Sequence, residues 1–433
     1  MTRKLLLLPV FLLLAADATG GTASTSPDPT SLVVPSEELS KARDLVQRLG
    51  SEEFHDREQA ERDLERMGRA AREALLEGAS NDPSPEVRSR CGALLPRATA
   101  LELKARLEVF LADVEGKYDH DLAGWNQFRK ILQDEWSLFG FTLWSDGSLD
   151  RTGRKVFAGL LTTSVNRQIV LATSGPETEL AEIVANRRQE LYNQKYGRVI
   201  VGGRVMARPG VRQEPSVEDI ATLLFGEVYA PAQVMPRNVS VSVLLNSSGF
   251  LNAARAGDEK GKVYQAIAGA WLDSRKDPMD MYNALSVASN LGLPEKSCNL
   301  AVRLLHAKGG QPFYRGQAAA TLARLGNKSH IPLLEKLFDD ASVLTLRPRQ
   351  VIKDGKPMTV NTEIQVRDVA LAVAITLSSQ NPTDFGFDDQ YKNMNNPNIA
   401  FSYVRYSVED DQRKATFEKW KAWREKHSLK RND

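Results

Sequence analysis

One spacing pattern recurs along this chain of 433 residues and constrains its fold more than any other feature. An arginine is followed at the third position by a small residue, at the seventh by leucine, and at the tenth and eleventh by an apolar residue and glycine. The complete pattern starts at Arg57 and at Arg315. Because residues three and four apart share one face of an α-helix, each copy predicts an amphipathic helix that ends at the glycine.

The copy at Arg315 is the better defined of the two. Gly326 stands where a helix often ends in the left-handed conformation, which glycine adopts without strain. A second apolar stripe, which begins at Ile331, predicts a return helix that ends by Asp340. One helical pair cannot bury both of its faces, so the pattern predicts further pairs stacked on either side.

Shorter copies of the pattern start at Arg88 and Arg367. We expect the guanidinium at all four positions to bridge to a carboxylate or carbonyl of the adjoining helical pair, because its planar shape suits bidentate contacts. Arg88 follows Arg57 by 31 residues, whereas Arg367 follows Arg315 by 52. The extra 21 residues require an insertion between two helical pairs.

The insertion has the composition of a β-hairpin. Leu344–Ile352 and Met358–Val366 are rich in β-forming residues, and the Asp-Gly pair between them is typical of a two-residue turn. Insertions in repeat arrays often form the binding face, so we predict that the basic residues of this hairpin contact a partner. These are Arg347, Arg349, Lys353 and Lys356. The alternative is that the hairpin covers the apolar face of the next helix.

The residues around the pattern carry a resemblance to a known family. The join Asp-Pro-Ser-Pro-Glu-Val-Arg at 82–88 and the core Ala-Ala-Ala-Thr-Leu-Ala-Arg-Leu-Gly at 318–326 resemble short HEAT-like repeats of the phycobilin-lyase type, as in exported bacterial proteins. The resemblance covers about 38–97 and 279–380 and implies an α-solenoid. Members of this family mostly hold partner macromolecules, and lyases are a minority among them.

The N-terminus predicts export. Arg3 and Lys4 precede an apolar run, and Ala16-Asp17-Ala18 offers a cleavage site, so residues 1–18 are expected to be a signal peptide. Cleavage would leave no membrane span and a periplasmic or secreted protein, although retention of the segment as an anchor is the alternative. Residues 19–36 are rich in Gly, Ser, Thr and Pro and predict a flexible linker.

The remainder divides into three predicted regions. Residues 37–97 form N-terminal HEAT-like repeats, 98–236 an irregular helical region with a short hairpin about Gly202-Gly203, and 237–433 C-terminal HEAT-like repeats. The last region includes the β-hairpin insertion 344–366 and a capping helix from Glu409 to His427. The expected fold class is mainly α: a HEAT-like α-solenoid with an inserted β-hairpin and an irregular helical middle region. That middle region is either a set of degenerate repeats or a separate helical module.

No motif for a catalytic, cofactor or metal site is found, so none of these is predicted. Asp119-His120-Asp121 has metal-capable side chains, but adjacent residues rarely converge on one ion, and a solvated loop is expected. Cys91 and Cys298 each lie on an apolar helical stripe and are expected to be buried free thiols. A net charge of +2 gives no footprint for nucleic-acid binding.

These features favour an exported helical-repeat scaffold that binds another protein and has no catalytic activity. The alternative is an exported enzyme, lyase-like or hydrolase-like, whose site lies in the irregular middle region. A cluster of convergent polar groups in a cleft around Trp125 to Trp144 would favour the enzyme. An aromatic stripe in the last helix, formed by Phe417, Trp420 and Trp423, is expected to seal the final repeat or, alternatively, to stack on a ligand.

Overall fold

The computed structural model describes residues 27–137, 148–201, 204–207, 212–230, 240–245, 248–288, 290–353, 356–387 and 406–427. The predicted signal peptide and residues 19–26 of the predicted linker lie outside this part of the chain. The protein is mainly helical, and it divides into two compact units at His120 and Asp121. The mainly α fold class predicted from the sequence is confirmed.

The first unit is entirely helical among the residues described. Its helices are α1 (Ser36–Arg48), α2 (Phe54–Met67), α3 (Arg72–Asn81) and α4 (Pro85–Ala112), with short 3-10 helices at Pro29–Leu32 and Gly68–Ala71. The predicted helices at the start of the chain are thus confirmed. Their apolar stripes meet in one core, which contains Ala42, Leu45, Val46, Leu49, Ala60, Leu64, Ala71, Ala74, Leu75, Val87, Cys91, Leu94 and Ala98.

Two glycines shape this unit. Gly68 ends α2 with a φ of 58°, a conformation that other residues adopt only with strain. Gly78 lies in α3 facing its neighbours, where an added Cβ would stand 2.8 Å from Cys91 Sγ and from Val46 Cγ1. The absence of a side chain therefore lets α1, α3 and α4 approach closely.

Helix α4 is longer than the sequence pattern indicated. It runs through 28 residues and contains Pro96, which removes one backbone hydrogen bond. Leu94 and Ala98 are buried on either side of the proline, so packing holds the helix together there. The predicted start of the irregular region, at residue 98, therefore falls inside a continuous helix.

The second unit contains the remaining elements. In chain order they are α5 (Trp125–Ser137), α6 (Ser148–Leu160), α7 (Ser164–Ala172), α8 (Glu177–Tyr196), β1 (Arg198–Val201), β2 (Arg204–Ala207), α9 (Val217–Tyr229), α10 (Val241–Leu245), α11 (Ser248–Arg255), α12 (Glu259–Ser274), α13 (Pro278–Ala288), α14 (Pro294–Leu305), α15 (Pro312–Leu325), α16 (Ile331–Glu335), β3 (Val343–Lys353), β4 (Lys356–Gln365), α17 (Val366–Leu377), α18 (Pro382–Phe385) and α19 (Arg413–Lys426). A 3-10 turn at Lys328–His330 precedes α16.

Three helices of this unit are apolar on nearly all sides and lie at its centre. Helices α9 and α12 pack against each other, and α12 also contacts α5, α6 and α11. Helix α17 is buried along almost its whole length and packs against α15 and α16. The apolar residues of Phe157–Val165 predict one continuous helix, and this prediction is wrong, because Thr163 caps α7 by accepting the backbone N–H of Asn166 and so separates α6 from α7.

The expected left-handed end of α15 is also wrong. Gly326 has φ −79° and ψ 178°, an extended conformation, and its N–H donates to the carbonyl oxygen of Leu322 at 2.7 Å. A Cβ at this position would stand 2.6 Å from that oxygen. Glycine is therefore required here for space and not for a positive φ.

Both predicted hairpins are present. β1 pairs with β2 from Arg198 opposite Ala207, and the glycines between them lie outside the described residues. β3 pairs antiparallel with β4 from Val343 opposite Gln365 up to Lys353 opposite Lys356, with one irregularity near Val343. The insertion predicted from the displaced repeat is thus a β-hairpin between α16 and α17.

Candidate functional site

The base of the β3–β4 hairpin is built into the helical fold. The N–H of Val366 donates to the carbonyl oxygen of Ser342 at 3.0 Å, which closes the insertion at its two ends. Ile364 is fully buried, and the buried guanidinium of Arg347 donates to Ser407 Oγ. The hairpin therefore leaves the helices from a fixed position.

A buried ion pair fastens the same place to α19. Arg413 donates from Nε to Asp368 Oδ1 at 2.8 Å and from Nη2 to Oδ2 at 3.2 Å, and Nη2 also reaches the carbonyl oxygen of Glu363 at 2.9 Å. Asp368 accepts the N–H of Gln365 as well. Burial raises the pKa of Asp368 although Arg413 opposes this, so the carboxylate depends on its partner for its charge.

The distal part of the hairpin is exposed. Near the turn, Ile352 keeps 81% of its surface in solvent and Met358 44%, while Leu346, next to Arg347 at the base, keeps 53%. Ile352 lies opposite Pro357, and cross-strand partners share one face of a sheet, so the face that carries Leu346 and Ile352 has no covering layer among the described residues. Exposed apolar side chains on a projecting ribbon indicate a contact surface.

The four basic residues predicted to contact a partner do not share one environment. Arg347 is buried and fastens the base of the hairpin, so its position is structural. Lys356 is exposed at the start of β4. The backbones of Arg349 and Lys353 lie in β3, and their side chains fall outside the description.

The aromatic stripe of the last helix seals the fold, as one of the two alternatives expected. Trp420 is buried and packs against Phe385 of α18. Trp423 is stacked between Trp420, with ring centroids 5.2 Å apart, and His427, at 4.6 Å. Trp420 and Trp423 are therefore in contact with neighbouring rings of the fold, which agrees with the sealing role.

The exposed lysines of α19 are a feature that the sequence reasoning missed. Four are exposed around the helix, and no ion pair to them is seen among the described residues: Lys414, Lys419, Lys421 and Lys426. The signal that could have revealed them is the charge of the helix, which has six basic and two acidic residues.

The arginines of the repeated pattern mostly bind the loop before their own helix. Arg57 donates from Nη1 to the carbonyl oxygens of Ser51 at 2.8 Å and Glu52 at 2.9 Å. Arg88 makes the same contacts with the residues six and five positions before it, at 2.6 and 3.0 Å. Long side chains of a helix point towards its N-terminus, which explains the geometry.

The expected bridge to the adjoining pair is therefore largely wrong. Arg57 does lie 3.4 Å from Glu86 at the start of α4. Arg315, however, pairs at 2.8 Å with Asp340, the residue that closes its own helical pair. Arg367 donates to Gln365 two residues away, at 2.7 Å.

Arg167 in α7 makes the same loop contact, although the sequence pattern does not mark it. Its Nη1 donates to the carbonyl oxygens of Leu161 at 3.0 Å and Thr162 at 3.2 Å. Each arginine that contacts its own leading loop from Nη1 is the fourth residue of its helix, and these are Arg57, Arg88, Arg167 and Arg315. Arg167 could have been found from the sequence by looking for an arginine at the fourth position of a predicted helix, without requiring the leucine spacing.

The middle region holds a buried polar cluster around Glu227 of α9. Arg188 of α8 lies 3.3 Å from Oε1, while Arg275 and the indole Nε1 of Trp271 donate to Oε2 at 3.1 and 2.8 Å. Arg275 also donates to the carbonyl oxygen of Glu227. Both carboxylate oxygens are thus bound by protein groups, and the cluster joins α8, α9 and the end of α12.

A second polar cluster of this region lies at the start of α9. Asp219 accepts from Arg187 at 2.7 Å and from Asn166 at 3.0 Å, and it shares a capping box with Ser216. Burial disfavours the charged form of Asp219, but hydrogen bonds from Ser216, Arg187 and Asn166 outweigh this and hold the pKa below its ordinary value. The carboxylate is therefore committed to joining α7, α8 and α9.

The expectation of a solvated loop at Asp119-His120-Asp121 is wrong for His120. Its ring is buried, its Nε2 lies 2.9 Å from Oδ2 of the buried Asp113, and it meets Phe110 edge-on at 5.2 Å. Asp113 also accepts the N–H groups of Lys117 and Tyr118. The histidine thus closes the turn after α4.

Both cysteines are buried and free, as predicted. Burial raises the pKa of Cys91 to about 11, with a smaller effect of Asp82. Burial also raises the pKa of Cys298, whose thiol donates to the carbonyl oxygen of Leu325 at 3.1 Å. Neither thiol therefore ionises readily.

Nowhere in the described part of the chain do three or more His, Cys, Asp or Glu side chains converge in a group that could hold a metal ion. None of the helices there combines the length and apolar character that crossing a bilayer requires.

Comparison of the sequence with family models and with curated proteins finds no match, and comparison with solved structures finds none either.

Proposed function

We propose that this protein is an exported scaffold of HEAT-like helical repeats that binds another protein through the β3–β4 hairpin. The observation that carries the proposal is the contrast within the hairpin. Its base is fixed by buried groups, whereas its distal part presents Ile352 and Met358 to solvent. A projecting ribbon with exposed apolar side chains on a rigid base is suited to binding a partner without losing much conformational entropy.

The shared arginine contact supports the repeat architecture. Arg57 and Arg88 in the first unit and Arg167 in the second each bind the two carbonyls six and five positions before them. Arg167 lies in the region that the sequence pattern left unassigned, which favours degenerate repeats over a separate module there. Repeats of this kind form extended surfaces on which partners are held.

The register of the hairpin defines the test. Pro348 lies opposite Asn361, so replacing residues 349–360 by Asn-Gly joins that pair with a favoured two-residue turn. The shortened protein keeps Arg347, Ile364 and all buried contacts of the base. We expect its melting temperature to stay within about 2 °C of the original, because a surface ribbon contributes little to the core.

The readout is the set of proteins that the mature chain captures from the exported fraction. We expect the shortened variant to lose a protein that the full-length chain retains. Phe54→Thr, which removes an exposed apolar side chain in the first unit, is the matched control and should retain it. Unfolding of the shortened variant, or capture of the same proteins by it, would contradict the proposal.

A further inference from the structure

Each strand of the β3–β4 hairpin has an inner edge, which pairs with the other strand, and an outer edge. Among the described residues, the sheet contains these two strands alone. In an antiparallel pair, successive residues direct their backbone N–H and C=O groups alternately towards the partner strand and away from it. The register of the hairpin therefore determines which backbone groups lie on each outer edge.

Hydrogen bonds at the base of the hairpin fix this alternation in β4. The N–H of Val366 donates to the carbonyl oxygen of Ser342, just before β3, so it points towards β3. The N–H of Gln365 instead donates to Asp368 Oδ2 at 2.9 Å, outside the ladder. Even-numbered residues of β4 thus point inwards and odd-numbered residues outwards. The outward residues that precede Gln365 are Pro357, Thr359, Asn361 and Glu363.

The two outer edges differ in where a proline interrupts them. The outward residues of β3 lie opposite those of β4, and one in the middle of the strand is Pro348, opposite Asn361. Proline has no N–H to donate, so the outer edge of β3 is broken midway. In β4 the proline is Pro357, next to the turn, and the donors of Thr359, Asn361 and Glu363 follow it without a gap. Only β4 therefore offers a continuous outer edge.

The outer edge of β4 is accessible and ends at a defined place. Thr359 and Asn361 are exposed, and no hydrogen bond from a described residue outside the ladder reaches their backbone groups. At the base, Nη2 of Arg413 donates to the carbonyl oxygen of Glu363 at 2.9 Å. An added strand can thus bond to Thr359, Asn361 and the N–H of Glu363, and it must leave the sheet there.

We infer that the protein partner contributes an extended segment that pairs with the outer edge of β4 as a third strand. The inference rests on the proposed function, because it specifies how the same hairpin holds its partner. In this mode of recognition, main-chain hydrogen bonds provide affinity and alternate side chains provide specificity. The segment must lack proline where it faces β4, and its side chains on the side of Met358 can cover that exposed residue.

A second copy of this chain fits the edge less well than a partner segment does. Pairing the two β4 edges around a two-fold axis at Val360 would place Pro357 of one copy opposite Glu363 of the other. Arg413 already occupies the space beside the carbonyl of Glu363, and the turn of the second hairpin would continue towards it. A partner segment can end or bend away before that point.

The test removes one outward N–H from each edge in turn. Thr359→Pro removes a donor from the outer edge of β4, and Gln350→Pro, at the opposite position, removes the matching donor of β3. Neither N–H bonds within the ladder, so both variants should melt within about 3 °C of the original chain. The probe is a peptide of alternating threonine and valine flanked by lysines, at millimolar concentration. The same peptide with proline in place of valine is the control probe.

Hydrogen exchange, resolved to single amides by mass spectrometry, locates the bound peptide on the original chain. We expect the probe to slow exchange at Thr359 and Asn361 about fivefold or more, and to leave Gln350 and Ile352 unchanged. The control probe should protect neither edge. Protection of the β3 amides instead, or of neither edge by the probe, would overturn the inference.

The two variants give a second, independent readout. Thr359→Pro should bind the probe about fivefold more weakly, which corresponds to the loss of one backbone hydrogen bond, and Gln350→Pro within about twofold of the original. Equal losses in the two variants would overturn the inference. Self-association of the original chain that Thr359→Pro abolishes would also overturn it and identify a second copy as the occupant.

The inference and the proposed function can fail separately. If the hairpin-shortened protein loses its captured partner while Thr359→Pro retains it, the proposed function stands and the inference alone fails. If Thr359→Pro loses the same partner and Gln350→Pro retains it, both stand. If the shortened protein captures every protein that the full-length chain does, the proposed function fails and the inference fails with it.

Discussion

The two units of the molecule use charged residues differently. In the first unit, apart from the buried contact between His120 and Asp113, ion pairs lie near the surface, and several span neighbouring helices, as between Arg43 and Glu77 or between Arg90 and Glu61. In the second unit, the principal pairs are buried, as at Asp368 and around Glu227. The first unit is therefore stabilised mainly by its apolar core, with most of its ion pairs around the edge of that core. In the second unit, buried ion pairs connect particular helices to one another.

The difference matters because the same pair has different consequences in the two settings. A surface pair contributes about 0–1 kcal/mol and is screened by salt. Removing one partner of a buried pair destabilises by about 3–5 kcal/mol, because an uncompensated charge remains. Removing one charged partner should therefore destabilise the second unit much more than the first.

The two units also carry separate reporters. All six tryptophans lie beyond residue 120, so tryptophan fluorescence follows the second unit alone. Cys91 lies in the first unit and Cys298 in the second. Reactivity of Cys91 in a Cys298→Ala background follows opening of the first unit.

The largest effect is expected for Arg413→Met. The substitution leaves Asp368 buried without its cation and should lower the free energy of unfolding of the second unit by about 3–5 kcal/mol. Urea unfolding followed by tryptophan fluorescence measures it. Adding Asp368→Asn, which keeps an acceptor for the Gln365 N–H, should recover more than half of the loss. A loss below about 1 kcal/mol would show that the buried pair contributes no more to stability than an exposed pair does.

A somewhat smaller effect is expected for Glu227→Gln. Glutamine keeps the shape and one acceptor but removes the charge that Arg188 and Arg275 share, so we expect a loss of about 2–3 kcal/mol. Because Trp271 donates to this carboxylate, its emission should change in the folded state as well. Glu190→Gln, at an exposed partner of Arg187, is the control and should leave both quantities nearly unchanged.

Arg315→Lys tests the arginines of the repeated pattern. A lysine cannot reproduce the contacts of the guanidinium to Asp340 and to the carbonyl oxygen of Gly310, so we expect a loss of about 1 kcal/mol. The melting temperature should fall while partner capture is unchanged. An unchanged melting temperature would mean that the pattern reflects helix propensity and not this contact.

The smallest effect is expected for Arg90→Gln in the first unit. Arg90 lies near Glu58, Glu61 and Glu86, yet the cluster is at the surface, and we expect a loss of about 1 kcal/mol or less. In 0.5 M salt the difference should shrink further, because the pairs are screened. The rate of Cys91 labelling in the Cys298→Ala background measures this change in the stability of the first unit. A loss as large as that of Arg413→Met would remove the contrast between the units.

The sequence predicted the local elements better than the joints between them. Helical periodicity located α2 and α15, and the displaced repeat located the β3–β4 hairpin, because these depend on spacing and turn residues. The boundary predicted at residue 98 falls inside α4, because buried residues on either side of Pro96 keep the helix continuous. The role of Gly326 could not be predicted, because a glycine at a helix end can serve either a positive φ or a close backbone approach. Only the backbone around Gly326 distinguishes the two.

The candidate site was predictable only in part. The hairpin was identified as an exposed insertion, but its strand pattern did not show that Arg347 would be buried against Ser407, sixty positions later in the chain. Long-range contacts of this kind leave no spacing in the sequence. The basic character of α19 was visible as composition, but the exposure of its lysines depended on Trp420 fixing which side of the helix is buried.

The closed ends of the hairpin have a consequence for the rate of folding. Helix α17 can dock on α15 and α16 only after the chain between Ser342 and Val366 has been brought back on itself. With an unstructured loop of that length, bringing the two ends together would be opposed by the conformational entropy of the loop. A hairpin zips on its own within about 1–10 μs and delivers its two ends side by side. The insertion thus lengthens the chain while keeping the closure local, and shortening it at paired positions should leave the folding rate nearly unchanged.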